Sequence, residues 1–459
     1  VAAGIALVLT RNRDRYIGRR EAMLLVALTW GIGSAVAALP FRLWTLFGGH
    51  GAGGHEFDSF INCYFESVSG LTTTGATVLG DIQSLPDSLL LWRSLTHWLG
   101  GLGIVVLFVA VLPTLGVGAK RLFRVEATGP SPEGLQPTIR ETARVLWLIY
   151  SGITVVAAGL LWLAGMSPFD ATCHAFSMVS TGGLSTRDAS IGHYDSAWID
   201  AICIVFMVTA GINFALFYQA THGRVRHALR DPELRVYLAT KALVGLVVVW
   251  NIIGTPITTT AGATVPGDLG NAVQHGLFTT VALHTGTGFG TADYDRWPLL
   301  SQGVLVGLMF MGGCAGSTAG GIKVIRFWIA IKVMLGQIEK AFRPQVVRPL
   351  RIGTASVDND MKIAALAYIM GFFLILLTGA FLLGLIEHDA PEADFSTILT
   401  ASLSSISNVG PGLHGVGATA NYAWFEPESK LLLCLLMTLG RLELFALIVL
   451  FNPRFWRGT

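Results

Sequence analysis

The chain has 459 residues, of which 52% are hydrophobic and 13% carry a charge, and its mean hydropathy is +0.60. A soluble domain carries about 25% charged residues, so this composition excludes a soluble globular protein and predicts an integral membrane protein. The net charge of +2 decides little by itself, and we expect no nucleic-acid partner. The five cysteines stand singly without paired spacing, which argues against a disulfide framework or a cysteine metal site.

Apolar segments of two lengths alternate along the chain. The apolar N-terminus is too short to span a bilayer and runs into arginines, so we interpret 1–15 as the tail of a helix whose beginning is missing from this numbering. Half-length segments are predicted near 61–71, 170–180, 272–284 and 396–407. Full-length spans are predicted at about 21–43, 89–113, 143–166, 197–220, 236–256, 299–321, 324–338, 362–386 and 430–451.

Each half-length segment is followed by a short motif, and the four motifs align on one glycine. Those glycines recur at intervals of roughly 105 to 120 residues, which indicates repeated architecture. We therefore predict an all-α integral membrane protein with four pseudo-symmetric membrane-pore-membrane repeats around a central ion pore, at 16–118, 119–228, 229–345 and 346–459. The motifs are Leu71-Thr72-Thr73-Thr74-Gly75-Ala76-Thr77, Thr181-Gly182-Gly183-Leu184-Ser185, Gly286-Thr287-Gly288-Phe289-Gly290 and Asn408-Val409-Gly410-Pro411-Gly412.

These motifs are the candidate ion-binding loops. Extended backbone after a half-span cannot face lipid, because its amides and carbonyls would be unpaired, so it must line a wet cavity. Carbonyls from four loops can replace the hydration shell of a cation, and uncharged oxygen ligands favour a large monovalent ion over a divalent one. Any one loop taken alone is equally a simple glycine turn. The predicted ion-binding residues are Thr73, Thr74, Gly75, Thr181, Gly182, Gly183, Thr287, Gly288, Asn408, Val409 and Gly410.

The basic residues distinguish the two sides of the membrane. Of the 31 Lys and Arg residues, 25 lie at the termini or in segments that join one repeat to the next, so the positive-inside bias makes that face and both termini cytoplasmic. The opposite loops hold most of the acidic residues, Glu66 and Asp170 among them, and a negative mouth concentrates cations. Outward loops of any membrane protein look acidic once Lys and Arg are excluded, so this distribution supports cation conduction without establishing it.

A glycine-rich stretch interrupts the second span of the third repeat. Its five glycines within 312–321, each costing about 1 kcal/mol relative to Ala, cannot hold a straight helix, and such a break is tolerated where it borders a cavity. We predict a movable plug beneath the ion-binding loops. A phosphate-binding loop does not match, because Ile322 separates Gly321 from Lys323. The predicted gating residues are Gly312, Gly313, Gly316, Ser317, Thr318, Gly320, Gly321, Lys323 and Arg441.

Arg441 lies inside the final predicted span, where a charge costs at least ~2.5 kcal/mol and needs a partner. Glu443 is only two residues further on and points elsewhere on a helix. We therefore expect Arg441 to contact carbonyls of 312–321, holding the plug and presenting a positive barrier to cations; a snorkelling or purely structural arginine is the alternative. His97 and Asn213 are lone polar residues in apolar spans and are expected to serve packing or interhelical hydrogen bonds.

These motifs, in this order and together with 312–326 and 440–443, resemble the TrkH/TrkG family of potassium uptake proteins, in the superfamily that includes KtrB and plant HKT transporters. The resemblance covers about 20–456. It implies an extra pair of N-terminal helices, of which 1–15 would be the remnant, and a homodimer in a bacterial inner membrane. It further implies a cytosolic, nucleotide-binding partner of the RCK type, similar to TrkA, that controls the gate. It also implies that 312–321 is an intramembrane gating loop contacted by Arg441, and that the glycines at 75, 183, 288 and 410 hold K⁺.

The expected function is therefore uptake of K⁺ through a chain that needs no organic cofactor and is surrounded by membrane lipid. Glycine rather than serine at Gly75 favours potassium over sodium in this superfamily, whereas Gly290 stands where a threonine is expected and would loosen the third loop. A sodium-coupled carrier of the KtrB type is the alternative. A membrane-embedded enzyme would need clustered side chains, but the histidines in apolar segments are scattered at His97, His174, His275 and His284.

Overall fold

The computed structural model describes residues 19–48, 54–110, 139–346, 349–353 and 355–456. The predicted remnant at 1–15 lies outside these ranges. Eight basic residues used to assign the cytoplasmic face are also outside them: Arg11, Arg13, Arg15, Lys120, Arg121, Arg124, Arg348 and Arg457.

Helices make up most of the described chain. In order they are α1 Arg19–Leu46, α2 Phe60–Leu71, α3 Asp87–Ala110, α4 Ile139–Leu163, α5 Pro168–Val179, α6 Ala197–Ala210, α7 Phe214–Thr221, α8 Val225–Ala228, α9 Pro232–Ile252, α10 Leu269–His284, α11 Leu299–Phe310, α12 Val324–Phe342, α13 Asn359–Ile386, α14 Phe395–Ser407, α15 Pro427–Arg441, α16 Phe445–Ile448 and α17 Pro453–Trp456. Short 3₁₀ turns occur at Glu56–Asp58, Ile82–Ser84, Ser190–Tyr194, Tyr294–Arg296, His414–Val416 and Val449–Phe451. Two small antiparallel hairpins complete the described structure, β1 Ile257–Thr258 with β2 Thr264–Val265 and β3 Arg351–Ile352 with β4 Ala355–Ser356.

Several helices are long and apolar enough to cross a membrane. By length and composition there are four among the described residues, or up to six if each of two bent helix pairs counts as one span. The four are Met23–Leu46, Ala143–Leu163, Pro232–Ile252 and Asn359–Ile386. Leucines, valines and phenylalanines on their outer surfaces are exposed, as expected of helices whose solvent is lipid.

The predicted order of a long helix, a short helix and a further helix occurs four times. The short helices α2, α5, α10 and α14 have 12 to 16 residues and lead directly into the glycine motifs. Three of them start at a side-chain cap, because Ser167, Asp268 and Asp394 each accept a hydrogen bond from the backbone amide three residues further on. Each ends where the chain turns into the left-handed backbone region, which an α-helix cannot continue through.

The span predicted at 197–220 is divided into two helices. The chain breaks between α6 and α7, which meet at 95°. At the break the Gly211 carbonyl accepts a hydrogen bond from the Cys314 amide (2.9 Å), and the Phe214 amide donates to the Gly316 carbonyl (3.1 Å). Backbone groups that would close a helix in this span are therefore used to bind another part of the chain.

The span predicted at 430–451 is also divided. Helix α15 ends at Arg441, and the chain turns by 115° into the short helical stretch that follows. Glu443 and Leu444 have φ values of 60° and 56° at this turn, a conformation that costs roughly 1–2 kcal/mol per residue. An ion pair between Arg326 in α12 and Glu443 holds the turn against the rest of the protein.

Buried side chains connect neighbouring repeats in a closed circle. One large cluster joins α1–α3 with α14 and α15, and contains the ring pair Phe65 and Tyr422 at 5.6 Å. A second joins α4–α6 with α10, and a third joins α9–α11 with α13–α15. Trp98 of α3 packs against Tyr150 of α4, with ring centroids 5.5 Å apart. This circular packing brings the four glycine motifs to the centre of the molecule.

Candidate functional site

The four glycine motifs share one backbone pattern. In each, the residue two before the aligned glycine and the glycine itself both have positive φ, which allows successive carbonyls to point to one side rather than alternate. We call residues 73–77, 181–185, 286–290 and 408–412 the ring loops. The first positions are Thr73 (52°), Thr181 (57°), Gly286 (70°) and Asn408 (54°), and the glycines are Gly75 (83°), Gly183 (82°), Gly288 (71°) and Gly410 (98°).

The ring loops meet in a closed cycle. A Cβ atom added to Gly75 would overlap the carbonyl oxygen of Gly182 in the second loop. The same overlap occurs between Gly183 and the Thr287 carbonyl, between Gly288 and the Val409 carbonyl, and, closing the cycle, between Gly410 and the Thr74 carbonyl at 2.7 Å. Glycine is therefore required at all four positions both by φ and by the approach of the next loop.

The carbonyl oxygens at these joints are buried without hydrogen bonds. Those of Thr74, Gly182, Thr287 and Val409 accept none from the part of the chain that the structure describes. More than nine in ten buried backbone carbonyls are paired in folded proteins, so four unpaired ones around one centre are unusual. Converging unpaired oxygens are the arrangement that coordinates a cation.

Most of the hydroxyl groups predicted to face an ion serve instead to brace the loops. Thr74 shares a hydrogen bond with Thr72 (2.8 Å), Thr287 shares one with Thr285 (2.8 Å), and the Thr181 hydroxyl donates to the Ser180 carbonyl (2.6 Å). The Asn408 amide donates to the Thr74 hydroxyl and to the backbone of α15. The open oxygen atoms of the ring are therefore backbone carbonyls together with two buried side-chain oxygens, Thr73 Oγ1 and Asn408 Oδ1, which have no hydrogen-bond partner among the described residues.

At the level of the aligned glycines the ring is not fourfold. The Gly410 carbonyl accepts hydrogen bonds from the Ser404 hydroxyl (2.7 Å) and the Tyr422 hydroxyl (2.8 Å). The carbonyls of the other three aligned glycines accept none from the described residues. Because a carbonyl has two lone pairs, that of Gly410 is fully used behind the ring.

A buried ion pair supports the first and second ring loops. Glu66 is 1% exposed, so it does not contribute to an acidic mouth as predicted. Its carboxylate binds Arg93 (2.7 Å) and accepts hydrogen bonds from the Thr77 hydroxyl and the Val78 amide. Arg93 also donates to the Ser185 carbonyl of the second loop (3.2 Å).

Asp170, the other acidic residue placed at the mouth, is also buried. It accepts a hydrogen bond from the Thr186 hydroxyl (2.6 Å) and forms an ion pair with Arg187 (3.1 Å). Nearby, His174 of α5 shares a hydrogen bond with Ser185 (2.9 Å), so the far end of the second loop is fixed by its own short helix.

The third loop is supported in a different way. In the first two repeats the loop is braced by the pairs Glu66–Thr77 and His174–Ser185. The equivalent positions in the third repeat, counted from the aligned glycine, are Thr279 and Gly290. Gly290 has no side chain, and the Thr279 hydroxyl has no hydrogen-bond partner among the described residues. The Gly290 backbone instead accepts from the Gly192 amide (3.1 Å) and donates to the Ser190 hydroxyl (3.2 Å), so an adjacent loop replaces the missing brace.

The glycine-rich stretch, residues 312–323, lies on the side of the ring where the short helices end. We call it the inner loop. Gly320 lies against Ser407, and its amide nitrogen is 3.7 Å from a Cβ built on Gly286. The Thr318 hydroxyl lies 3.2 Å from the carbonyls of Val179 and Ala210. The inner loop is thus packed against the ends of three short helices.

Glycine is needed in the inner loop because two backbone segments of the loop approach each other closely. A Cβ on Gly312 would overlap the Gly320 carbonyl, and Gly316 and Gly321 have positive φ. Gly313 packs against the Gly211 carbonyl, 2.7 Å from its built Cβ. Two further predicted gating residues form hydrogen bonds within the loop. Ser317 Oγ donates to the Cys314 carbonyl, and Lys323 Nζ donates to the Ala319 carbonyl.

Arg441 makes the predicted contact with the inner loop. Its guanidinium donates to the Thr318 carbonyl (2.7 Å) and to the Gly100 carbonyl of α3 (3.2 Å). The two lone polar residues of the apolar spans also lie at this centre. Asn213 caps α7 and packs against Gly316, and the His97 ring packs against Gly182.

Sequence reasoning missed three side chains that hold this site together. Arg93, Tyr422 and Glu233 were not singled out, although each is buried and bonds to a ring loop or to the inner loop. A charged residue inside an apolar segment was the available signal for Arg93. For Tyr422 and Glu233 there was none, because both lie in polar connecting segments of the sequence.

Membrane-length helices arranged around a ring of glycine loops define an integral membrane protein of the transporter class rather than an enzyme. Residues 43–457 match the TrkH family, described as cation transport proteins, and the chain belongs to that family. The predicted helical fold is confirmed by a solved structure, the crystal structure of the potassium transporter TrkH from Vibrio parahaemolyticus. It matches with a TM-score of 0.84 and 31% sequence identity over 99% of this chain and 90% of that chain.

Curated relatives match over nearly their whole length. The Trk system potassium uptake protein TrkH of Salmonella typhimurium is 36% identical, with 100% of this chain and 91% of that protein covered. TrkH of Halomonas elongata is 37% identical over 97% of this chain and 88% of that protein. TrkG of Escherichia coli is 34% identical over 99% of this chain and 89% of that protein.

Proposed function

We propose that this chain takes up K⁺ across a bacterial inner membrane, binding the ion in the centre of the ring loops. The observation that carries the proposal is the set of four buried, unpaired carbonyl oxygens at the joints between the loops, at Thr74, Gly182, Thr287 and Val409. An ion held there would receive the hydrogen-bond acceptors that the described chain leaves unused. The relatives named above are potassium uptake proteins, which agrees with this assignment.

The surroundings of the ring favour a monovalent cation. All four short helices end at a ring loop, so the negative ends of four helix dipoles lie close to the centre. No carboxylate lies in the ring loops themselves, and a divalent ion usually requires anionic ligands. Neutral carbonyls and helix ends together suit K⁺, which is weakly hydrated and large.

The inner loop is proposed as the gate. It lies across the ends of three short helices, and Arg441 ties it to α3 and α15 with a full positive charge. Residues 312–321 in this position would close the ring on that side, and their displacement would open it. The glycines permit such movement because they restrict the backbone least.

We further propose the finer arrangement expected from the sequence. The chain would form four repeats at 16–118, 119–228, 229–345 and 346–459, place both termini in the cytoplasm, and assemble as a homodimer within membrane lipid. A cytosolic nucleotide-binding subunit similar to TrkA would act on the gate. The ion bound would be K⁺ at the aligned glycines, with no organic cofactor.

Rubidium flux into liposomes containing the purified protein tests the proposal. Gly75→Ala is expected to lower the flux at least about tenfold, because the Cβ overlaps the Gly182 carbonyl and φ is positive. Gly303→Ala is the matched control, since a Cβ there meets nothing within 4 Å. Equal flux in the two variants would refute a role for the ring. A strict requirement for Na⁺ would instead identify sodium-coupled transport.

A further inference from the structure

Glu233 joins the inner loop to the start of α12 through one carboxylate oxygen. It lies in the first turn of α9 and is 6% exposed. Its Oε1 accepts hydrogen bonds from the Ala315 amide (2.9 Å) and from the Ile325 amide (3.2 Å). Ala315 belongs to the inner loop, and Ile325 lies in the first turn of α12, into which the loop leads.

These bonds are of a strong kind. A carboxylate taken out of water persists only where hydrogen bonds replace its hydration, and bonds to an ionised acceptor are roughly twice as strong as neutral ones. The amide of Ile325 is also one of the unpaired donors at the start of α12, where the helix dipole favours a negative charge. Glu233 therefore stabilises both the loop and the helix start in the positions seen here.

The same half of the inner loop is held by the break between α6 and α7. The Cys314 amide donates to the Gly211 carbonyl, and the Phe214 amide donates to the Gly316 carbonyl. From this break the chain runs through α7 and the exposed, arginine-bearing helix α8 to Glu233. The continuous segment 211–233 therefore contacts the loop at both ends of the segment, through Gly211 and through Glu233. Arg441 binds the other half of the loop at Thr318.

We propose that Glu233 is a positioning residue that couples segment 211–233 to the inner loop. While its carboxylate binds Ala315 and Ile325, the loop stays against the ring. Displacement of the segment withdraws the carboxylate and frees the loop. This inference rests on the proposed function in so far as the loop is taken to be the gate.

Cys314 provides a measure of loop position that does not depend on transport. Its thiol is buried beside Ala315, and the cysteines Cys203 and Cys434 are buried in helices away from the loop. Labelling of the detergent-purified protein with N-ethylmaleimide, followed by peptide mass spectrometry, gives a separate rate for each cysteine. The rate at Cys314, compared between variants that lose the same negative charge near the thiol, reports release of the loop. The rates at the other two cysteines report general loosening.

Glu233→Ala is expected to raise the labelling rate of Cys314 about tenfold, because both charge-assisted bonds are lost. Glu233→Gln keeps an oxygen for the two amides and should raise it only about threefold. Asp231→Asn is the matched control, since it removes a carboxylate from the same helix end and retains an oxygen for the Leu234 amide. An unchanged rate at Cys314 in Glu233→Ala overturns the inference. So does a parallel rise at Cys203 and Cys434, or an equal rise in Asp231→Asn.

Rubidium flux through the same variants separates this inference from the function it rests on. If the loop is the gate, Glu233→Ala raises the flux severalfold, in proportion to the labelling rate. Increased labelling with unchanged flux in a conducting protein would overturn the coupling of Glu233 to the gate. If the unmodified protein conducts no Rb⁺ or K⁺ at all, the proposed function fails, while faster Cys314 labelling in Glu233→Ala still supports the hold of Glu233 on the loop.

Discussion

The guanidinium of Arg441 donates a 2.7 Å hydrogen bond to the backbone carbonyl of Thr318, 123 residues earlier in the chain. The arginine is 3% exposed and stands at the end of α15, so a full charge is held at the point where the inner loop meets the ring. Its second bond, to Gly100, ties the loop to α3. Helices α3 and α15 are therefore joined by the same guanidinium that binds the loop.

Replacing Arg441 should release the inner loop. Arg441→Ala removes two hydrogen bonds from a charged donor, each worth about 1.5–3 kcal/mol, so Rb⁺ flux in liposomes is expected to rise at least about tenfold. The flux of Arg441→Lys should lie between that of the unmodified protein and that of Arg441→Ala, because an ammonium cannot reproduce the planar guanidinium fork. Lys430→Ala, which removes a cation near the opposite end of the same helix together with its bond to the Ala423 carbonyl, serves as control. Lower flux in a folded Arg441→Ala protein would contradict the gating role.

Tyr422 should set how strongly the ring binds its ion. Tyr422→Phe removes one of the two hydrogen bonds that occupy the Gly410 carbonyl, leaving that oxygen available to the ion. We expect the KM for Rb⁺ to fall about fivefold, since one more ligand is worth roughly 1 kcal/mol. Tyr294→Phe is the matched control, because Tyr294 bonds the Gly412 carbonyl in the same loop. An identical KM in the two variants would show that Gly410 is not withheld from the ion.

The buried pair Glu66–Arg93 should behave as a unit. Removing one partner leaves an uncompensated buried charge, at a cost of about 3–5 kcal/mol, so Glu66→Gln and Arg93→Met should each lower the Tm in detergent. The double variant leaves neither charge and is expected to lose less than the sum of the two single losses. Strictly additive losses would mean that the two side chains are energetically independent, against the 2.7 Å contact between them.

The free energy of unfolding should fall as pH rises, because two side chains around one outer loop, His414 and Asp295, titrate. The hydrogen bond with Asp394 raises the pKa of His414, and burial raises the pKa of Asp295, which accepts a hydrogen bond from the His414 backbone, to about 6. A folded-state pKa above the unfolded value contributes stability that is present at low pH and lost as pH rises through it. Both groups therefore act in the same direction: Asp295 lowers the stability as pH rises from about 4 to about 6, and His414 lowers it as pH rises above about 6.5.

Thermal unfolding across that range measures the effect. The fall in Tm should be small, because His414 and Asp394 are both almost half exposed. The variant His414→Gln removes the imidazole, and the double variant His414→Gln with Asp295→Asn removes both titrating groups. A pH dependence that is unchanged in the double variant would place its origin elsewhere in the protein.

The ring could be predicted from the sequence because its signal is local and repeated. A glycine at the same distance after each half-length apolar segment identifies a backbone position, and backbone positions do not depend on partners elsewhere. The contact between Arg441 and the inner loop was also predictable, since a charge deep in a span must find polar atoms, and the broken glycine stretch offered them.

The braces of the ring could not be predicted in the same way. Glu66 and Arg93 lie 27 residues apart, and Glu233 reaches an amide 82 residues away, so no periodic pattern connects them. Glu66 was misplaced because a carboxylate after an acidic loop looks exposed in sequence. The break at Gly211 was missed because one glycine in an apolar span usually packs helices; only the bonds to Cys314 and Gly316 explain it.

The joint between Gly410 and Thr74 has a consequence for how the protein is made. During synthesis the first three loops leave the ribosome and enter the bilayer while the fourth is still untranslated, so three quarters of the circle stand without their closing member. The circle of loops is closed only when almost the entire polypeptide has been made. A prematurely terminated product ending before Gly410 would therefore lack the loop that closes against Thr74.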